Sequence, residues 1–185
     1  MARRALVVAG YHQRLAKSLM VRRASRGPDV IAPAKTGYQH HHLLPLALAR
    51  RAQIAQFLAS LGPVGFRLTD RQANCLWLPA EERLAWRTGS ALHRGPHPRY
   101  TEVVAARVER IRSGGQGLSA SQRELLALRR LCRLQRVLAH ILSGAGPRLV
   151  QLNRRDPLRL FQDYSQLDAA IGALHGVNLP VSADG

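Results

Sequence analysis

At 185 residues and 46% hydrophobic content, the chain is long enough for one domain with a real core, and its composition is not that of a disordered tail. It carries 28 Lys plus Arg against 11 Asp plus Glu, a formal net charge of +17. That balance points to a polyanionic partner, because neutralising phosphates releases counterions, with an acidic protein or a membrane surface as the alternatives.

Further classes fall away on motif grounds. No stretch reaches the ~18 apolar residues of a membrane span, and the N-terminal run Ala5-Leu6-Val7-Val8-Ala9 is too short for a secretory signal. The cysteines, Cys75 and Cys132, form no C-x-x-C pair, which argues against a thiolate zinc site and reads them as small hydrophobes. No glycine-rich phosphate loop with Lys and Ser or Thr is present, which argues against a P-loop enzyme.

In chain order, residues 1–36 read as a basic N-terminal arm, with a short helix over 11–24 that Arg26-Gly27-Pro28 ends. Gly37 to Pro45 reads as a short extended segment. Leu46 to Leu61 reads as one helix, with Leu46, Ala49, Ile54, Phe57, Leu58 and Leu61 near a helical repeat and Gly62-Pro63 as its stop. Val64 to Leu78 reads as a hairpin or strand-turn pair, because Val64, Phe66 and Leu68 alternate before Thr69-Asp70 and the apolar Leu76-Trp77-Leu78. Ala80–Trp86 follows as one or two helical turns, and Thr88 to Pro98 as a loop.

Arg99 to Arg112 reads as an amphipathic helix, its buried face drawn from Val103, Val104, Ala106, Val108 and Ile111. Ser113 to Gly117 breaks it. A helix capped by Ser119 or Ser121 then runs to about Leu142, with shorter helices over 157–163 and 165–174. The boundaries are an arm at 1–36, a core at 37–112 and a helical extension at 113–185 packed on that core. Residues 1–112 hold 19 basic and 6 acidic side chains against 9 and 5 beyond, so the charge is concentrated with the core. Trp77 and Trp86 read as core residues, and Glu81, Glu82 and Glu102 as helix caps or solvated groups.

Eight histidines are present, and five of them form two tight clusters, His40-His41-His42 and His93-x-x-x-His97. On a strand, neighbouring side chains point to opposite faces, so adjacent histidines take different roles. One can face a metal while the next takes a proton from water, a division that metal-assisted hydrolysis requires. Gly95 and Pro96 argue against a regular helix between His93 and His97. A loop position for His93 and a helix-start position for His97, just before Pro98, fit better. Imidazole ligands suit Zn, Ni, Mn or Fe, and a mixed site binds Mg less tightly. The structural alternatives are a solvated strand edge for the first cluster and a simple helix cap for the second. His12, His140 and His175 stand alone and read as structural or exposed.

His41-His42-Leu43-Leu44-Pro45 resembles the His-His-x-x-Pro signature of the AHH nucleases, a branch of the HNH/endonuclease VII (His-Me finger) superfamily found among bacterial toxin domains. Asn74 with Leu76-Trp77-Leu78-Pro79 is similar to the family's Asn and Leu-Pro step. His93-Arg94-Gly95-Pro96-His97-Pro98-Arg99-Tyr100 is similar to its His-x-Gly-x-His-Pro-x-Tyr segment. The likeness covers about residues 38–112. It departs at His40, where the family has Ala, and at Cys75, where Gly usually follows the Asn. The second departure bears on the turn at Asn74, since Gly permits left-handed backbone that Cys tolerates poorly.

The resemblance implies a mostly helical α+β fold around a small ββα-metal core with additional helices. It implies His41, His93 and His97 as ligands of one divalent metal (Mg, Mn, Zn or Ni), His42 as general base, and Asn74 as the residue that holds the metal loop or orients the base. Arg94 and Arg99 would contact phosphates, with Arg99 also stabilising transition-state charge, and surface charge is the alternative for both.

The function so implied is metal-dependent endonucleolytic hydrolysis of DNA with little sequence preference, in an antibacterial toxin or effector. Such a protein is made in the bacterial cytoplasm, blocked by an acidic immunity protein and exported without a signal peptide. The alternatives are a non-catalytic nucleic-acid-binding protein with a structural metal site, an RNase on the same scaffold, and a basic adaptor domain.

Overall fold

The computed structural model describes residues 35–145, 150–159 and 169. The helix expected over 11–24, nearly all of the basic arm and most of the short helices expected at 157–163 and 165–174 lie outside these residues.

The first strand, β1 (Tyr38–His42), pairs antiparallel with β2 (Cys75–Pro79), His41 opposite Leu76 and His42 opposite Cys75. Between them come a 3-10 segment at Leu46–Arg50, helix α1 (Ala52–Ser60) and the single turn α2 (Arg71–Asn74). After β2 come α3 (Glu82–Thr88), α4 (Pro98–Arg112) and α5 (Ala120–Leu142). The described chain is therefore mostly helical α+β, with a two-stranded hairpin followed by helices, as a ββα-metal core requires.

The path between the two strands differs from expectation. The single helix expected over 46–61 is broken at Arg51, whose backbone is extended (φ −94°, ψ 107°). The break resets the helical phase. Leu48, not Leu46, turns inward, and Leu46 stays 45% exposed. The hairpin expected over 64–78 does not form. Turns occupy 61–69, and Asp70 then caps a helical turn by accepting the Ala73 N–H at 3.0 Å. The partner of β2 is β1, across the helical insertion, as the ββα-metal reading has it.

The core is built from Ile54 and Leu58 of α1, the valine-rich face of α4 and the leucines of α5. Tyr100, Val104, Ala105, Val108 and Ile111 form the buried stripe of α4, at the spacing of a helix face. Ala105 is inside and Ala106 outside, one residue from the expected pattern. Helix α5 starts at a reciprocal capping box. Ser119 Oγ accepts the Gln122 N–H, and Gln122 Oε1 accepts the Ser119 N–H. Its buried face carries Leu128, Leu131, Leu134, Leu138 and Ile141, with Gln135 the one amide among them.

Candidate metal centre

His41 lies on the inward face of β1 and is 4% exposed. His93 lies in the loop between α3 and α4, and His97 is the residue that starts α4. The fold brings the three together. The His41 ring stands edge-on to His93 with centroids 4.9 Å apart, and His93 and His97 are 4.8 Å apart. One ring nitrogen from each of the three lies within 4.8 Å of the others. His41 is far in sequence from His93 and His97, so sheet pairing and the packing of α4 create the group.

Local chemistry fixes which nitrogens are free. His97 Nδ1 is 2.9 Å from the Leu152 carbonyl oxygen. A carbonyl only accepts, so Nδ1 carries the proton and Nε2 keeps its lone pair. His93 Nδ1 likewise faces Gln39 Oε1 at 3.2 Å. Nε2 of His41 and Nε2 of His97 are buried and make no hydrogen bond among the described residues. Buried polar atoms without partners are costly and call for an explanation. Two such nitrogens in a three-imidazole cluster fit a cation ligand set. Three neutral nitrogens suit Zn, Ni or Mn better than Mg, which prefers oxygen.

Electrostatics act in the same direction. Burial holds the His41 pKa well below the ordinary histidine value, with His93, His97 and His42 adding to the effect. Burial, His97 and His42 push His93 down to about 4. Burial also lowers His97, partly offset by its bond to Leu152. All three therefore rest neutral near pH 7, the form that can donate a lone pair.

Helix α4 gives up its side-chain cap to this arrangement. His97 makes no capping bond because its ring is turned to the cluster and to Leu152. Pro98, which has no N–H to satisfy, takes the first helical position. Tyr100 lies against His41 and donates from its hydroxyl to the Leu43 carbonyl at 2.7 Å, tying the helix to the end of β1.

Asn74 is fully buried and all its bonding positions are used. Oδ1 accepts from Leu44 N at 2.8 Å and from Gln135 Nε2 at 3.1 Å, and Nδ2 donates to the Leu44 and Leu68 carbonyls, both at 2.8 Å. The side chain thus clamps the chain just after the histidine strand. Cys75 is extended (φ −120°, ψ 149°), so no left-handed residue is needed where the family pattern has Gly.

His40 and His42 share the other face of β1. His40 stacks on Trp77 with ring centroids 3.6 Å apart. His42 is half-buried, and its pKa is lowered by burial, by the Arg71 cation and by His40. Arg71 is exposed and lies near both histidines, a neighbour not anticipated from the sequence.

Arg94 is engaged within the protein, its Nε donating to the Ala80 carbonyl at 2.7 Å and its guanidinium 3.6 Å from Glu82. Arg99 is exposed on the first turn of α4. Trp86, read as core, is instead 64% exposed. Both described cysteines are free thiols.

A family model for the AHH nucleases, described as a nuclease family of the HNH/ENDO VII superfamily with conserved AHH, matches residues 28–138, more than half of the chain. The chain belongs to this AHH nuclease family. Membership makes this AHH nuclease a phosphodiester hydrolase whose substrate is nucleic acid, in a superfamily that typically uses a metal ion. No curated protein and no solved structure matches the chain. Among the described residues, no helix is long and apolar enough to cross a membrane.

Several residues around the site were not read from the sequence. Gln39 carried a usable signal, since strand alternation puts it on the face of His41. Leu152 and Gln135 carried none, because only the folding of distant segments brings them here.

Proposed function

We propose that this AHH nuclease hydrolyses phosphodiester bonds in DNA with low sequence preference, using one divalent cation held by His41, His93 and His97. The observation that carries this reading is the convergence of three neutral imidazoles, His41 buried and His93 and His97 half-buried, with a fourth, His42, next to His41 in the chain and on the opposite face of the same strand. A cation bound there would stabilise negative charge on the phosphate and the leaving oxygen.

His42 is the general base. Its neutral ring nitrogen takes a proton from water as the water oxygen forms a bond to phosphorus and the bond from phosphorus to the leaving sugar oxygen breaks. Arg71 and Arg99, both exposed, hold flanking phosphates by charge, which positions the strand without reading bases. Asn74 keeps β1 and the following turn in place and touches no reacting atom. Arg94, tied to Ala80 and Glu82, contributes to loop structure and only the unused part of its guanidinium to phosphate binding.

The same reading extends to a toxin or effector role. Family resemblance supports it, and the excess of 28 basic over 11 acidic residues suits an acidic inhibitor protein that covers the site.

The test is cleavage of supercoiled plasmid by wild type, by His42→Ala and by wild type with chelator, with Mg, Mn, Zn and Ni added back singly. Cleavage lost in both controls and restored by one of the metals is the expected result. Folded, metal-loaded wild type that leaves DNA intact would overturn the DNase reading, and cleavage of RNA alone would assign an RNase. Expression inside bacteria, with viability lost for wild type and kept for His42→Ala, tests the toxin role.

A further inference from the structure

The loop that carries His93 and His97 has little regular structure of its own, yet its polar backbone groups are met from outside it. One segment supplies much of this support. Residues 150–159 form a strap that lies beyond the part of the chain matched by the family, 28–138. Leu152 offers its carbonyl to His97 Nδ1 at 2.9 Å. Asn153 Nδ2 donates to the Arg94 carbonyl at 3.2 Å. Asp156 Oδ2 accepts the Leu92 N–H at 2.9 Å, and Arg159 Nη2 donates to the Gly89 carbonyl at 3.0 Å.

The strap is itself anchored. Asp156 and Arg159 have no exposed side-chain surface and pair with each other at 3.4 Å. Asp156 Oδ1 also accepts the Leu158 N–H at 3.0 Å. A buried ion pair is a poor source of net stability. Its geometry here does something else, gripping the loop at Gly89 and Leu92, just before the histidines.

We infer that the 150–159 strap is a positioning element of the metal centre, with Leu152 setting the His97 tautomer and the Asp156–Arg159 pair holding the histidine loop in register. The inference rests on the metal-binding reading of His41, His93 and His97. A ring whose Nδ1–H is held by a carbonyl presents Nε2 to a cation without first losing a proton or rotating. Loss of such a supporting contact typically weakens metal binding about 10- to 100-fold.

The test has two parts. In the metal-free wild type, nitrogen NMR of the His97 ring should find the proton on Nδ1. Cobalt(II) titrations then compare wild type with Asn153→Ala and with the double variant Asp156→Ala/Arg159→Met, which removes both buried charges so that neither is left alone. Both variants should bind cobalt about 10- to 100-fold more weakly, with a changed visible absorption spectrum. A wild-type proton on Nε2, or folded variants with wild-type cobalt affinity and spectrum, would overturn the role of the strap. Failure of the wild type to bind cobalt, zinc or nickel would instead overturn the metal-site reading beneath it.

Discussion

The carbonyl oxygen of Leu152 lies 2.9 Å from Nδ1 of His97 and so decides which nitrogen of that ring remains open. The open nitrogen, Nε2, is buried and makes no hydrogen bond among the described residues. A contact between residues far apart in sequence thus prepares one corner of a three-histidine cluster.

If those corners hold a cation, removing it should be visible in stability. Ligand that binds only the folded state adds about 2.7 kcal/mol at a concentration one hundred times its Kd. The melting temperature should rise on adding Zn or Ni and fall back with chelator. His41→Ala should abolish the rise, and a rise that persists in His41→Ala would place the cation elsewhere.

His42 should separate binding from chemistry. His42→Ala is expected to keep the metal-dependent rise in melting temperature while losing roughly 10²- to 10⁴-fold in cleavage rate, the usual contribution of a general base. Parallel calorimetric titration and single-turnover cleavage check the split. A variant that loses metal and activity together would make His42 a ligand.

Asn74→Ala should act through the fold. The substitution strands the Leu44 N–H and carbonyl, the Leu68 carbonyl and the Gln135 amide. Each buried group left unpaired costs about 1–3 kcal/mol, so urea unfolding should show a loss of about 3 kcal/mol or more. A stable variant that only lost turnover would instead assign Asn74 to the chemistry.

Gly144→Ala tests the packing of the histidine loop against the end of α5. Gly144 has φ +80°, and a Cβ there would lie 2.5 Å from the carbonyl carbon and 2.6 Å from the oxygen of Gly89. Both contacts are backbone, which cannot swing aside. A loss of roughly 1–3 kcal/mol is expected from the backbone strain alone, with faster hydrogen exchange at Ala91, whose N–H is bonded to the Leu142 carbonyl.

Acid should destabilise the metal-free protein in a defined window. His93 titrates near 4 when folded and near the ordinary 6.5 when unfolded, with His41 and His97 shifted the same way. Between these values the unfolded chain binds more protons, so stability falls as pH drops from about 6.5 toward 4 and is flat above. Urea midpoints measured in chelator at pH 7.5, 6 and 5 should decline in that order. The decline should be shallower in His93→Gln.

The sequence alone carried the histidine clusters, the basic balance, the start of α4 at Pro98 and the capped α5, because these depend on residue type and local spacing. The strand pair was also legible, since β1 and β2 carry the motif residues at their expected places. Helical phase and the path of residues 61–74 were not. Extended backbone at Arg51 turned Leu46 outward, and Asp70 closed a helical turn where alternation suggested a strand. Trp86 reached the surface because α3 is short and buries only Ala85. The supporting contacts from Gln135, Leu152, Asp156 and Arg159 depended on tertiary structure alone. A hydrogen bond forms only at contact distance, and nothing in local sequence says which distant carbonyl will arrive beside His97.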